Sequence, residues 1–374
     1  MSVKQTVSLN LKNLAGWRTK RKIVVFSVDD YGSVRLDSKT ARERMDHEGV
    51  KAKKRFDRLD TLETKQDLEM LYDVLLSVKD QHSNHAVFTP FALPCNIDFE
   101  RMKRSGYEEY LYELLPETYK KLSDRHPQAY DGAWDLWLQG IEQGLMKPQF
   151  HGREHLNLKV FEEKLKVNDK ELITNLENRS FTSLSRTGYK TISAVAAFDF
   201  WEFTENERFH DIITDGLNRF EEVYGYRSRH FTPPVYNIHP VLYRTLMDNG
   251  VEFIDSALLK SEHQGNGTFK KRLNYTGKTI EGLSVIVRNV VFEPTEERAF
   301  DWVDFGMKQI EAAFRWNKPA VISSHRVNYC GHIEPGNREK GLKNLKNLLI
   351  KIVKRWPDAE FMSLDSLGKL IKKQ

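Results

Sequence analysis

The chain has 374 residues, of which 40% are hydrophobic and 30% are charged, and its formal net charge is +5 at pH 7. This balance predicts a soluble globular protein with ample material for a core. The basic runs at residues 51–55 and 270–272 are scattered among acids, so we expect solvated faces rather than a nucleic-acid interface.

The N-terminus and the cysteines limit the cellular setting. Residues 1–22 have no continuous apolar run, which predicts neither a signal peptide nor a membrane anchor, and no later segment could span a bilayer. Cys95 and Cys330 form neither a disulfide framework nor a C-x-x-C zinc pair. We therefore expect a cytoplasmic protein with buried cysteines, the alternative being a catalytic thiol at Cys330.

Strands and helices alternate along the chain. Apolar spacing predicts helices at residues 56–79, 107–122, 134–143, 211–224, 240–248, 299–316 and 338–356. Short β-branched or apolar runs predict strands at residues 23–28, 85–91, 191–198, 229–232, 251–254, 320–325 and 359–364. Residues 158–190 and about 261–292 look like insertions, the second a β-hairpin with its turn at residues 276–278. The alternation predicts an α/β fold with a parallel sheet or barrel, built as one domain over residues 1–374.

Two carboxylates end the first predicted strand. Asp29 and Asp30 follow residues 23–28, and Gly32 permits a tight turn after them. Sites collect at the carboxyl ends of strands in α/β folds, and neighbouring side chains there point in different directions. One Asp can therefore bind a metal while the other faces the reacting group. The alternative is a solvated turn with two helix-capping acids.

Two histidines, His151 and His155, have the spacing H-x-x-x-H. On a helical turn this spacing brings both imidazoles close enough to share a metal. The alternative is two surface histidines. The same stretch, H-G-R-E-H, also matches the H-x-x-E-H of inverted zinc proteases, with Glu154 as the base. That alternative needs a regular helix, which Pro148 and Gly152 disfavour.

Together these residues predict a hydrolytic metal site. A strand-end carboxylate and two His leave open positions that suit Zn²⁺ or another divalent first-row metal. Hydrolysis needs a base, for which Asp29 stands beside Asp30, and an acid for the leaving group. His325 ends a late strand, which in a barrel closes beside the first strand. The alternative for His325 is a hydrogen-bonded core residue.

Four stretches resemble motifs of the polysaccharide deacetylases, the chitin-deacetylase-like carbohydrate esterases. S-V-D-D-Y-G at residues 27–32 resembles T-F-D-D-G, and H-G-R-E-H at 151–155 resembles H-S/T-x-x-H. I-S-S-H at 322–325 resembles the late L-x-H motif, and R-H-F-T-P-P-V-Y at 229–236 loosely resembles R-x-P-Y. The motif order agrees, and the resemblance covers roughly residues 20–370.

The resemblance implies a distorted (β/α) barrel of about seven parallel strands that removes acetate from N- or O-acetylated sugars. Asp29 would be the base and His325 the acid. The metal, Zn²⁺ or else Co²⁺, Ni²⁺ or Fe²⁺, would be held by Asp30, His151 and His155. The expected partner is an acetylated carbohydrate, with neither nucleic acid nor membrane.

The chain departs from the family pattern in three of these motifs. Tyr31 precedes the Gly, as in the related YdjC-like sugar deacetylases, and Gly152 replaces a hydroxyl residue. In the third motif, Arg227 competes with Arg229, and a backbone N–H near Val235 or Tyr236 is the candidate oxyanion donor. The substrate-binding residues that we predict are Arg229, Tyr236 and Trp201. A carbohydrate-binding protein without activity is a further alternative.

Overall fold

The computed structural model describes residues 3–182, 184–298 and 301–373. The strands, in chain order, are β1 (Lys22–Tyr31), β2 (Phe88–Ala92), β3 (Cys95–Ile97), β4 (Tyr112–Leu114), β5 (Gln149–Phe150), β6 (His230–Phe231), β7 (Phe253–Asp255), β8 (Leu259–Gly265), β9 (Thr268–Leu273), β10 (Thr279–Ile280), β11 (Leu283–Ile286), β12 (Val290–Val291), β13 (Ala320–His325) and β14 (Ala359–Phe361). The helices are α1 (Val3–Leu11), α2 (Lys39–His47), α3 (Arg55–Leu59), α4 (Lys65–Leu76), α5 (Phe99–Arg104), α6 (Leu115–Arg125), α7 (Pro127–Tyr130), α8 (Ala133–Glu142), α9 (Leu158–Lys166), α10 (Lys170–Glu177), α11 (Asn206–Tyr224), α12 (Tyr243–Asp248), α13 (Trp302–Arg315), α14 (Pro335–Arg355) and α15 (Leu364–Lys372).

One large sheet carries the fold. Its strand order is β10-β11-β7-β6-β5-β2-β1-β13-β12, with β14 beside β1, and every pair is parallel except β10 with β11. β1 lies inside the sheet and is buried along nearly its whole length, as its apolar sequence predicts. Helices follow most of the strands and pack over the sheet, so the predicted α/β class is confirmed.

The sheet curls into a half-barrel whose two edges are joined by the chain itself. β11 lies near one end of the strand order and β12 at the other, yet only residues 287–289 separate them. The backbone therefore crosses the gap between the edges. Arg288 stands in this crossing segment, between the buried Val287 and the buried Asn289.

The predicted strand at residues 191–198 is wrong, because the structure has a loop of turns there. The side chain of Asn157 takes the place of a strand partner. Its Nδ2 donates to the carbonyl of Ala196 at 2.9 Å and to the carbonyl of Asp199 at 2.8 Å. This segment, which has no neighbouring strand, contributes residues 193–195 to the lining of a cavity.

The structure contains a β-hairpin in the predicted insertion at about residues 261–292, but its turn lies about ten residues before the predicted turn at 276–278. β8 and β9 pair antiparallel around Asn266 and Gly267, which both have positive φ values, 50° and 70°. Asn-Gly is the favoured pair for such a two-residue turn. The predicted turn is centred on Gly277 instead, so the Asn-Gly signal at residues 266 and 267 was overlooked.

Several predicted helices begin or end elsewhere. The 56–79 helix is two helices, α3 and α4, and Thr64 caps the second by accepting the N–H of Asp67 at 3.1 Å. The 107–122 helix begins only at Leu115, after β4. For the 299–316 helix, residues 299 and 300 lie outside the described residues, and α13 begins at Trp302. Among the described residues, none of the helices combines the length and the apolar character that crossing a membrane requires.

Candidate active site

The carboxyl end of β1 meets the carboxyl end of β13. The parallel register pairs Asp29 with His325, as expected for a late strand beside the first. The pairing of β1 with β2 is irregular between Val28 and Tyr31, and within this irregularity Asp30 has a φ of 74°. Such a φ is uncommon outside glycine and marks local strain at functional positions. The turn of the backbone gives Asp29 and Asp30 different partners.

Asp30, His151 and His155 form a buried cluster. One ligand atom from each residue can be chosen so that all lie within 4.8 Å of one another. Asp30 Oδ1 lies 3.6 Å from His151 Nε2 and 3.1 Å from His155 Nε2. Ligands at about 2.0–2.1 Å around a tetrahedral ion are separated by about 3.3–3.4 Å. The spacing and the donor set therefore fit a divalent metal such as Zn²⁺.

The hydrogen bonds of the cluster orient its ring nitrogens toward a ligand. His151 Nδ1 lies 2.7 Å from the carbonyl oxygen of Thr232, which can only accept, so Nδ1 carries the proton. The lone pair of His151 is then on Nε2, the usual arrangement for a metal-ligating histidine. Among the described residues, His151 Nε2 and His155 Nδ1 are buried without a hydrogen-bond partner. Buried polar atoms rarely stay unpaired without a reason.

The protonation states also favour metal binding. Burial alone would raise the pKa of Asp30, but Arg35 and the two histidines hold that pKa well below its usual range. Burial lowers the pKa of His155, and this outweighs the opposing effect of Asp30. A carboxylate and neutral imidazoles are the forms that ligate metals.

The H-G-R-E-H stretch is not helical, so the expected helical turn is wrong. It follows β5 as a loop, in which Gly152 has a φ of 113° that a right-handed helix cannot contain. Glu154 is buried and accepts from Arg153 Nε at 2.6 Å and from the hydroxyl of Tyr110 at 3.4 Å. The carboxylate is thus engaged away from the two imidazoles, and the helix that an H-x-x-E-H protease needs is missing from this stretch.

Asp29 is paired with Arg288, a residue that the sequence reasoning missed. Arg288 Nη1 and Nη2 donate to the two oxygens of Asp29 at 2.7 and 2.8 Å, and Nε donates to Asp255 at 2.6 Å. The guanidinium is 2% exposed, so this is a buried bidentate pair that fixes the Asp29 carboxylate. The available signal was a charged residue inside the mostly apolar run of residues 283–291.

His325 is paired with Glu293, a second residue that was missed. His325 Nδ1 lies 2.6 Å from Glu293 Oε1, and the same carboxylate accepts from Asn328 Nδ2 at 2.8 Å and from Arg55. Burial opposes the charged imidazole, but Glu293 raises the pKa of His325 to about 9. The other ring nitrogen, Nε2, lies 3.9 Å from Asp29, on the side of the cavity.

These groups share a cavity of about 460 Å³. Its base is formed by both aspartates, both ligand histidines and His325, and its walls include the loop at residues 193–195 and residues 232–236. Tyr236, a predicted substrate residue, lines the cavity, and Val235 and Tyr236 have φ values of 51° and 60°. The Tyr236 N–H donates to the Pro233 carbonyl at 2.8 Å, which makes it a poor oxyanion donor as the structure stands.

The other two predicted substrate residues do not line this cavity. Arg229 precedes β6, at the end of the strand opposite the site, and its Nε donates to Glu252 at 2.6 Å. Arg227 likewise donates to the carbonyl of Asn249. Trp201 packs on Tyr189 with ring centroids 5.3 Å apart. The cysteines are buried, as expected, and neither belongs to the cluster.

No model of a known protein family matches this chain, and no curated protein matches it. Among solved structures, the chain is similar to a Parabacteroides distasonis protein described as a glycoside hydrolase/deacetylase, with a TM-score of 0.49, 11% identity and coverage of 96% of this chain and 73% of that chain. It is similar to a Mycobacterium smegmatis protein described as a polysaccharide deacetylase, with a TM-score of 0.47, 12% identity and coverage of 96% and 93%. It is also similar to the 4-alpha-glucanotransferase of Thermococcus litoralis, with a TM-score of 0.45, 9% identity and coverage of 92% and 40%. Because identities and TM-scores are this low, we draw the function from the site.

Proposed function

We propose that the protein is a metal-dependent hydrolase that removes acetyl groups, N- or O-linked, from a sugar or a polysaccharide precursor. One observation carries the proposal. A three-residue ligand cluster, a carboxylate fixed by an arginine and a charged histidine surround the base of one cavity. This is the equipment that hydrolysis of an acyl group needs: a place for a Lewis acid, a base and an acid.

Asp30, His151 and His155 are the residues that would hold the metal. A divalent ion there, Zn²⁺ by the donor set, would act as a Lewis acid on water and on the acyl carbonyl. The chain itself supplies the ligand orientation. The carbonyl of Thr232 holds the ring of His151, and the φ of 74° at Asp30 turns its carboxylate toward both imidazoles.

Asp29 is proposed as the base. It takes a proton from the attacking water while the water oxygen bonds to the acyl carbon. Arg288 holds both oxygens of Asp29, so the carboxylate keeps one orientation during the transfer. A bidentate arginine pair is suited to this because its geometry is fixed.

His325 is proposed as the acid. With a pKa of about 9, its imidazole is charged at neutral pH and can donate from Nε2. When the C–N or C–O bond breaks, this proton goes to the departing amine or alkoxide. Glu293 stabilises the charged ring and orients it through Nδ1. Asp29 and His325 thus act from neighbouring strand ends on one reacting group.

The identity of the acyl group rests on the motif resemblance at residues 27–32, 151–155 and 322–325, whose aspartates and histidines meet in one cavity. The cavity volume of about 460 Å³ can hold a sugar unit. Tyr236 offers an aromatic face. The guanidinium carbon of Arg288 lies 5.2 Å from the centroid of its ring. Aromatic faces pack well against sugar rings.

An acetate-release assay tests the proposal. Purified protein would be stripped with a chelator, reloaded with Zn²⁺ and given N-acetylated chito-oligosaccharides and O-acetylated xylo-oligosaccharides. We expect acetate only from the reloaded protein. Asp29→Asn should retain its metal and lose turnover, while Asp358→Asn, an exposed aspartate paired with Lys22, should behave as wild type. Metal-loaded protein that binds the sugars and releases no acetate would support a binding protein instead.

A further inference from the structure

The cavity has one cationic wall, formed by Arg35, Lys53 and Lys54. All three residues line the same cavity as the metal cluster. Residues 193–195 and 235–236, which also line the cavity, are uncharged. Three cationic side chains in the lining favour a ligand that carries a negatively charged group.

Arg35 lies between the cluster and the cavity rim. Its Nη2 is 3.9 Å from Asp30 Oδ1, and its Nε is 3.3 Å from Asp60 Oδ2. Its guanidinium carbon lies 5.2 Å from the ring centroid of Phe56, so the group is held against an aromatic ring. Across the described part of the chain, the guanidinium donates no hydrogen bond with proper geometry, although its side chain is only 12% exposed.

Neutralising its carboxylate neighbours does not account for Arg35. Asp60 already accepts from Arg326, at 3.0 Å from Nε and 2.9 Å from Nη2. Asp30 lies 3.9 Å from Arg35, and a metal held with His151 and His155 would also offset the charge of its carboxylate. With Nε beside Asp60, the N–H donors on Nη1 and Nη2 of Arg35 remain available to a planar anion, which is the group that an arginine fork fits well.

Lys53 and Lys54 extend this charge to the rim. Both side chains are exposed, and no carboxylate of residues 3–182, 184–298 or 301–373 lies within ion-pair distance of either ammonium. Asp57 also lines the cavity, where its Oδ2 accepts the backbone N–H groups of Lys53 and Lys54 at 3.0 Å and its Oδ1 accepts the hydroxyl of Thr182, so one negative charge stands against three positive ones. Elsewhere in the cavity, Asp29 is offset by Arg288. The wall keeps an excess of positive charge.

We propose that the substrate is an acetylated sugar bearing an anionic group, phosphate or carboxylate, which binds against Arg35, Lys53 and Lys54 while the acetyl group lies at the metal cluster. This inference rests on the proposed function for the acetyl group, but the anion recognition can be measured separately. The basic run at residues 51–55 is then partly a binding surface and not only a solvated face.

Calorimetric titration of the Zn²⁺-loaded protein tests the proposal with three probes: N-acetylglucosamine, its 6-phosphate, and N-acetylmuramic acid. We expect at least one anionic probe to bind about tenfold tighter than the neutral sugar, with the preference shrinking as salt rises. The preferred probe shows whether the anionic group that binds is a phosphate or a carboxylate. Equal affinity for all three probes would overturn the proposal.

Variants assign the preference to residues. The double change Lys53→Gln with Lys54→Gln, and separately Arg35→Gln, should each lower the anionic-to-neutral affinity ratio about tenfold. Lys51→Gln is the matched control, since its ammonium contacts the carbonyl of Asp46 outside the cavity. Because the readout is a ratio, general damage to the fold or to metal loading cancels. A ratio unchanged in both variants would also overturn the proposal.

Acetate release from the same three probes separates the two proposals. Equal release from neutral and anionic sugars would refute the anion inference and leave the hydrolase standing. A residue-dependent anion preference without any acetate release would refute the hydrolase and leave anion recognition standing.

Discussion

The site has a metal half, formed by Asp30, His151 and His155, and an acid–base half, formed by Asp29, His325 and their partners. The two halves differ in how their polar atoms are paired. In the metal half, His151 Nε2 is buried and lacks a hydrogen-bond partner among the described residues. In the acid–base half, Arg288 gives its donors to Asp29 and Asp255, and His325 is held by Glu293. The first half is incomplete without a ligand, whereas the second is complete within the chain.

This difference has a physical meaning. An unpaired buried polar atom costs about 1–3 kcal/mol, and a metal bound at His151 Nε2 would remove that cost. The paired half instead keeps its charges in place before substrate arrives, which avoids reorganisation during the reaction. Substitutions in the two halves should therefore change different properties of the protein.

The largest expected effect is on turnover. Asp29→Asn removes the base and leaves one oxygen that can accept from Arg288, so kcat should fall about 10²–10⁴-fold. Metal content should not change, because Asp29 belongs to the acid–base half of the site. Acetate release and metal analysis on the same preparation measure both. A variant that keeps most of its turnover would remove Asp29 from the mechanism.

Next in size is a loss of stability. Arg288→Met leaves Asp29 and Asp255 buried without their partner, which should lower the free energy of unfolding by about 3–5 kcal/mol. Denaturant unfolding measures it. Arg244→Met, which removes an exposed pair with Asp248, is the control and should unfold like wild type. Equal midpoints for both variants would contradict the pairing described here.

The ion pair between Arg288 and Asp255 also predicts that the stability of the protein depends on pH. Burial would raise the pKa of Asp255, but Arg288 and His230 bring it down to about 2. The unfolded value is about 3.9, so this contribution to stability is present above that pH and is lost as the pH falls towards 2. Unfolding of wild type between neutral pH and pH 3 should show this loss, and Arg288→Met should show less of it. An identical acid dependence in the two proteins would argue against the assignment.

A smaller effect is expected on the pH profile. His325 is charged below its pKa of about 9, so kcat/KM should fall as the pH rises through that value. Glu293→Gln removes the opposing charge, which should move this basic limb down by about one to two units. Glu296→Gln is the control, since its carboxylate pairs with Arg298 away from His325. A basic limb that stays in place would separate Glu293 from the acid.

The smallest effect is expected at Glu154. Its carboxylate contacts Arg153 and Tyr110, and Glu154→Gln keeps one accepting oxygen there. The acetyl hydrolase predicts a change of no more than about threefold in kcat/KM. The zinc-protease alternative predicts that Glu154→Gln loses nearly all hydrolytic activity. The acetate assay on this variant therefore distinguishes the acetyl hydrolase from the protease.

From the sequence alone, all three metal ligands could be predicted, but only Asp29 and His325 of the acid–base half. Asp29 and Asp30 after a buried strand, the spacing of His151 and His155, and the late strand before His325 could all be read from local patterns. Arg288 and Glu293 could not be assigned, because their roles depend on where residues 287–289 cross the sheet edges. That crossing is a property of the topology and has no local signature.

Local errors had similar causes. The H-x-x-x-H spacing is the same in a helix and in the loop that Gly152 makes, so the spacing identified the pair and gave the wrong conformation. Residues 191–198 have strand-like composition, but Asn157 satisfies the backbone of this segment from another element. Arg229 satisfied the motif pattern yet lies at the wrong end of β6.

Metal content is the measurement that tests the central claim most directly. Protein purified with Zn²⁺ and then dialysed would be analysed for metal by mass spectrometry as wild type, Asp30→Ala, His155→Ala and His82→Ala, the last being an exposed histidine. We predict about one ion per chain in wild type and in His82→Ala, and almost none in the other two variants. Undiminished metal in Asp30→Ala and His155→Ala would contradict the account.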